Sequence, residues 1–65
     1  MFNETLFLTP LYGRLRAALF SLNAVHEEQF DEQGNWLLDV RMPMVEWNRL
    51  IKEFGPEIAG FINRN

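Results

Sequence analysis

The feature that most limits how this chain can fold is a run before Pro43 in which every second side chain is large and apolar. Every second position carries a large apolar residue: Trp36, Leu38, Val40 and Met42. Because successive side chains of a strand point to opposite faces, this period predicts a strand with one buried face. Proline cannot donate a hydrogen bond to a sheet, so the strand is expected to end before Pro43.

Two other segments predict strands. Residues 5–9 form a short β-rich run that Pro10 stops. Residues 25–31 are mostly polar, which is typical of an edge strand with one face in water. A turn at 32–35, with Gly34 where a positive φ is needed, joins this edge to the central strand.

A first helix is predicted at about residues 11–23. Thr9 and Pro10 favour a helix start, and Asn23, which tolerates a left-handed conformation, favours a stop. Apolar residues at helical spacing define one buried stripe: Leu11, Leu15, Ala18, Leu19 and Leu22.

The second helix is predicted to begin at Pro43 and to end at Gly55. Its apolar face consists of Met44, Trp47, Leu50, Ile51 and Phe54. Pro56 can then restart a short helix, whose apolar residues are expected to pack back on the domain: Ile58, Phe61 and Ile62.

The order β-α-β-β-α predicts an α+β fold for residues 1–65, taken as a single small domain. A right-handed crossover followed by a hairpin favours a three-stranded antiparallel-type sheet in the order 2-3-1. Both helices then lie on one face, as in a ferredoxin-like fold that lacks its last strand. The core is expected to comprise Leu15, Leu19, Leu22, Trp36, Leu38, Val40, Trp47, Ile51 and Phe54.

The chain offers little for catalysis. It has no cysteine, no nucleophile motif and no glycine-rich phosphate loop. His26 stands beside Glu27 and Glu28, but neighbours on a strand point to opposite faces, so we expect a solvated edge residue rather than a metal ligand. We therefore predict no enzyme activity, no catalytic residue, no cofactor and no metal. No apolar run is long enough to span a bilayer, and a cytoplasmic origin fits the absence of cysteine.

The net charge is −3, and the charges are unevenly placed. The segment 26–32 holds four of the nine acids, whereas all six lysine and arginine residues lie elsewhere. The candidates for contact with phosphate are Arg14, Arg16, Arg49 and Lys52. The competing interpretation is ordinary solubilising charge. Arg14 and Arg16 are two apart on a helix and do not form one patch, whereas Arg49 and Lys52 share a face.

Several motifs occur together in a familiar order: GRLRAALF at 13–20, an acidic hairpin, and VRMP at 40–43 followed by Val45, Trp47, Arg49 and Leu50. In this the chain resembles the C-terminal domain of the HflX-type, ribosome-associated GTPases. The resemblance implies an accessory domain of a larger GTP-binding protein that binds the large ribosomal subunit and splits ribosomes under stress. The family's nucleotide motifs lie in its GTPase domain, so the resemblance assigns no GTP-binding residue here.

The resemblance implies two partners, the large subunit (ribosomal RNA or a stalk-region protein) and the GTPase domain of the same protein. An alternative is a small ferredoxin-like domain that binds a regulatory ligand or dimerises. The uncharged edge at 5–9 predicts weak self-association of the isolated chain, or contact with the GTPase domain. The other edge is expected to be protected by Glu27, Glu28 and Asp31.

Overall fold

A computed structural model describes residues 1–63. Within them the elements are β1 (Phe2–Leu8), α1 (Gly13–Ser21), β2 (Val25–Phe30), β3 (Trp36–Met42) and α2 (Met44–Phe54), with 3₁₀ turns at Pro10–Tyr12 and Pro56–Phe61.

The three strands form one sheet in the order β1-β3-β2, and both outer strands run antiparallel to β3. Leu38, at the middle of β3, lies between Leu6 on β1 and Glu28 on β2. The predicted α+β class and the order 2-3-1 are confirmed. The alternation that ends at Pro43 therefore identified the central strand correctly.

The core lies between one face of the sheet and the two helices. Its buried residues are Phe2, Leu6, Leu8, Leu15, Leu19, Ala24, Leu38, Val40, Met42, Trp47, Leu50 and Ile58. Trp36, Ile51 and Phe54 from the predicted core are partly buried and pack against this cluster. Ile58, Phe61 and Ile62 pack back as expected.

The predicted burial of three apolar residues is wrong. Leu11 is 90% exposed, Leu22 is 42% exposed and Met44 is 46% exposed. All three lie at or just beyond a helix end: Leu11 precedes α1, Leu22 follows it, and Met44 is the first residue of α2. Helical spacing identified the face of each helix that is buried, but it could not show at which residue along that face burial ends.

The first helix begins later than predicted. The Tyr12 amide donates to the Thr9 carbonyl at 3.0 Å, which closes a 3₁₀ turn, and α1 begins only at Gly13. The Thr9 side chain makes no capping hydrogen bond. The predicted stop is confirmed because Asn23 adopts a left-handed φ of 56°.

The second helix matches its prediction closely. Pro43 precedes the helix in an extended conformation, with φ −60° and ψ 145°, and does not form its first turn. Gly55 ends α2 with φ 102° and ψ 156°, a region that is essentially restricted to glycine. Gly34 has φ 83° in the β-hairpin turn, as its position predicted.

The first strand is longer than predicted and its outer edge is not free. β1 begins at Phe2, whose ring stacks on Trp47 with centroids 4.1 Å apart. Ile62 forms a bridge with Leu6, and the Asn63 amide donates to the Thr5 carbonyl at 2.7 Å. The C-terminal segment therefore lies along the centre of the edge at 5–9. Self-association through this edge, or its contact with the GTPase domain, stays a prediction.

Candidate functional site

Arg16 is the most constrained of the four basic candidates. Its Nε and Nη2 donate to the two carboxylate oxygens of Glu28 at 2.5 and 2.9 Å, which ties α1 to β2. Its guanidinium carbon also lies 4.7 Å from the ring centroid of Phe20 and 5.2 Å from that of Trp36. The hydrogen bond to Glu28 raises the pKa of Arg16. Arg16 thus holds the helix on the sheet, and its charge is already neutralised.

Arg49 is held much more loosely. It donates to Glu46 at 3.0 Å, one turn earlier on α2, and 72% of its side chain is exposed. An exposed pair of this spacing contributes only about 0.3–0.5 kcal/mol. The charge of Arg49 can therefore reorient toward another partner at small cost.

Arg14 and Lys52 carry the least restrained positive charge. Both are exposed, Arg14 in the first turn of α1 and Lys52 in the last turn of α2. Within residues 1–63, neither forms an ion pair. Of the four candidates, these two are the ones whose charge nothing in the described part of the chain neutralises.

The two helices leave a cleft between them, with a volume of about 390 Å³. It is lined by Ala18, Ser21, Leu22, Glu46, Arg49, Leu50 and Glu53. The partly exposed Leu22 supplies apolar surface to this cleft, and α2 supplies charges of both signs. Sequence reasoning missed the cleft because it placed Leu22 in the core. The neighbouring Asn23, a predicted helix stop, was the signal that Leu22 lies at an end.

The opposite face of the sheet is open and has a different character. A shallow groove of about 370 Å³ is lined by Thr5, Glu27, Gln29, Leu37, Asp39 and Asn63. Arg41 lies 3.6 Å from Asp39 on this face. With two carboxylates and no cation in the lining, the groove disfavours phosphate.

Exposed aromatic side chains flank β2. Phe20 is 42% exposed and Phe30 is 64% exposed. On β1, Phe7 is 37% exposed. The exposure of Phe30 was not predicted from the sequence, although its position next to the hairpin turn places it at the end of an edge strand.

The described residues hold no group of three or more side chains suited to a metal ion. His26 is exposed on β2. No buried side-chain nitrogen or oxygen in residues 1–63 lacks a hydrogen-bond partner. Neither helix in this part of the chain is long and apolar enough to cross a bilayer.

Together these features define a small α+β domain that offers surfaces and open grooves. The chain is 47% identical over 50 residues to the GTPase HflX of Escherichia coli (strain K12). This match covers 77% of the chain but only 12% of that relative. It supports an HflX-derived domain and confirms the resemblance that the sequence shows. No family model matches the chain.

Proposed function

We propose that this chain is the C-terminal accessory domain of an HflX-like GTP-binding protein. The observation that carries the proposal is the 47% identity over 50 residues to a protein named GTPase HflX, of which the match spans only 12%. The nucleotide-binding residues of the parent would then lie outside this domain. The domain itself binds no GTP, and it supports a parent that binds the large ribosomal subunit and splits ribosomes under stress in the cytoplasm.

The helical face is the side of the domain that faces the ribosome in this proposal. Arg14 and Lys52 are exposed there and form no ion pair within residues 1–63. Arg49 adds a third cation whose single partner is weak. Ribosomal RNA and acidic stalk proteins both present anionic groups that such side chains can meet. Arg16 has a supporting role, since its charge is neutralised by Glu28.

The test uses the parent protein with the charges of this face reversed. The double variant Arg14→Glu/Lys52→Glu is expected to bind purified large subunits at least about 10-fold more weakly and to show a shallower salt dependence. The matched control is Arg41→Glu, a reversal on the open sheet face, which should leave affinity within about 2-fold. Co-sedimentation over a range of salt concentrations gives both quantities.

Two results would contradict this assignment. One is unchanged subunit binding by the double variant while its circular dichroism and intrinsic GTP hydrolysis match the wild type. The other is unchanged binding and splitting by a parent that lacks this domain altogether. Separately, a fluorescent GTP analogue titrated against the isolated chain should show no saturable signal, and saturable binding would contradict the assignment of nucleotide binding to the rest of the parent.

A further inference from the structure

The two edges of the sheet differ in what covers them. The centre of β1 is covered by Ile62 and Asn63, whereas β2 has no strand beside its outer edge within residues 1–63. The pairing of β2 with β3 shifts register between Val25 and Glu27 and is then regular from Glu27 to Phe30. A regular four-residue edge is therefore open to another strand. Of the three carboxylates expected to protect it, Glu28 pairs with Arg16 and Asp31 accepts hydrogen bonds in the hairpin turn, which leaves Glu27 without an ion pair in residues 1–63.

The backbone of this edge has unused hydrogen-bonding groups. The Asp31 amide donates to the Asn35 carbonyl on the β3 side, at 3.1 Å. Because backbone groups alternate in direction along an antiparallel strand, those of Gln29 and Glu27 also point toward β3. The amides and carbonyls of Glu28 and Phe30 therefore point outward, where an added strand could pair with them.

On the helical side, the surface beside this edge is apolar and electrically neutral. Phe30 lies opposite Trp36, and Arg16 connects the rings of Trp36 and Phe20 while it pairs with Glu28. Both phenylalanines are exposed to solvent. A side chain of an added strand on this side would meet aromatic surface, so an apolar side chain is favoured there.

On the open side, the same edge is acidic. Glu27 lies opposite Asp39, and both line the groove with Gln29. Arg41 approaches Asp39 but leaves Glu27 without an ion pair in residues 1–63. A side chain of an added strand on this side would meet the carboxylate of Glu27, which has no ion-pair partner in residues 1–63, so lysine or arginine is favoured there.

We propose that β2 is a docking strand for an extended segment of a partner protein in which basic and apolar residues alternate. The segment adds as a fourth strand along Glu27–Phe30, with its apolar side chains beside Phe20 and Phe30 and its basic side chains beside Glu27. A second copy of this chain fits poorly, because its own β2 would bring like charges together. The proposal requires no contact by Arg14 or Lys52 and is independent of the ribosomal assignment.

The first experiment titrates the ¹⁵N-labelled chain with a capped six-residue peptide of alternating lysine and valine. Amide shift changes are expected along β2, and hydrogen exchange of the Glu28 and Phe30 amides should slow. Two control peptides separate the contributions of charge and of backbone hydrogen bonds. Replacing lysine by glutamate removes the charge complementarity, and N-methylation of the peptide amides that would pair with β2 removes their hydrogen-bond donors. Each should bind at least about 10-fold more weakly than the lysine peptide.

Two exposed positions of the chain supply matched variants. Glu27→Lys is expected to reverse the preference, so that the glutamate peptide binds better than the lysine peptide. Phe30→Ser should weaken both peptides by about 5-fold or more, with unchanged far-ultraviolet circular dichroism. The proposal is overturned if the shift changes fall in the interhelical cleft, or if the outward amides stay unprotected. Equal binding of the lysine and glutamate peptides by the wild-type chain, or pairing of β2 with a second copy of the chain, would also overturn it.

Discussion

The two helices lie on the same face of the sheet but are attached to it in different ways. α2 buries Trp47 and Leu50 and stacks Trp47 on Phe2 at the start of the chain. α1 buries Leu15 and Leu19, and it is also tied at its side to β2 by the bidentate pair of Arg16. α2 is attached through its apolar face, whereas α1 adds a hydrogen-bonded ion pair between Arg16 and Glu28 to its apolar contacts.

This difference shows how far a helical stripe determines burial. A stripe fixes the direction in which a side chain points, but burial also requires an element opposite it. Leu22, directly after the end of α1, is 42% exposed and lines an open cleft. The tie through Arg16 lies at the side of α1, where Phe20 stays exposed. Four measurements test this difference between the helices.

The largest loss of stability is expected when a buried residue on the apolar face of either helix is truncated. Trp47→Ala should lower the free energy of unfolding by about 3–5 kcal/mol, and Leu19→Ala by about 2–5 kcal/mol, since each leaves a cavity in the core. Leu22→Ala is the control and should cost no more than about 0.5 kcal/mol. Urea unfolding followed by fluorescence provides all three values. A Leu22 variant as unstable as the Leu19 variant would refute the distinction between stripe and burial.

The second test compares the helix ends. Gly55→Ala should cost about 1–3 kcal/mol, because the backbone at Gly55, with φ 102° and ψ 156°, excludes other residues. Asn23→Gly should be neutral within about 0.5 kcal/mol, because its φ of 56° suits both residues. Thermal unfolding under one buffer condition measures both. Equal destabilisation by the two changes would mean that the ends are not distinguished by backbone conformation.

The third test compares the two ion pairs through double-mutant cycles. The pair of Arg16 and Glu28 should show a coupling of roughly 0.5–1 kcal/mol, because it is bidentate and partly buried. The exposed pair of Glu46 and Arg49 should show about 0.3 kcal/mol. Arg16→Lys keeps the charge but loses the bidentate geometry, so it should behave like a disruption rather than a conservative change. Equal couplings would show that the polar tie of α1 adds nothing.

The smallest effect concerns the turn that joins β2 to β3. Asp31 accepts hydrogen bonds from the Asn35 side chain at 2.8 Å and from the amides of Asn35 and Gln33 at 2.9 Å. The Asn35 side chain contributes most to lowering the pKa of Asp31, and the backbone amides lower it further.

Because the folded pKa of Asp31 is depressed, its contribution to stability is complete above the unfolded pKa of about 3.9. That contribution is lost as pH falls through the lower, folded value. Carbon-detected NMR titration should give a midpoint below about 3.9 in the wild type, and Asn35→Ala should raise it. An unchanged midpoint in the variant would show that the Asn35 side chain does not hold this carboxylate.

Local patterns predicted much of the fold because the relevant physical constraints are local. The alternation from Trp36 to Met42 specified β3, and proline and glycine placed the ends of α2 within one residue. The C-terminal pairing of Ile62 and Asn63 with β1 could not be predicted, because it depends on the path of the whole chain. The partners of Arg16 were equally inaccessible, since Glu28 is twelve residues away.

The order of the elements, the central strand and the relationship to HflX-type GTPases can all be read from the linear chain, because periodicity, turn residues and similarity are properties of it. Which charges are free to meet a partner depends on the folded structure. It paired Arg16 with Glu28, loosely joined Arg49 to Glu46, and left Arg14 and Lys52 unpaired within residues 1–63. It also covered one sheet edge and left the other open. The reason is that neutralisation and exposure depend on distances between side chains, and folding sets those distances.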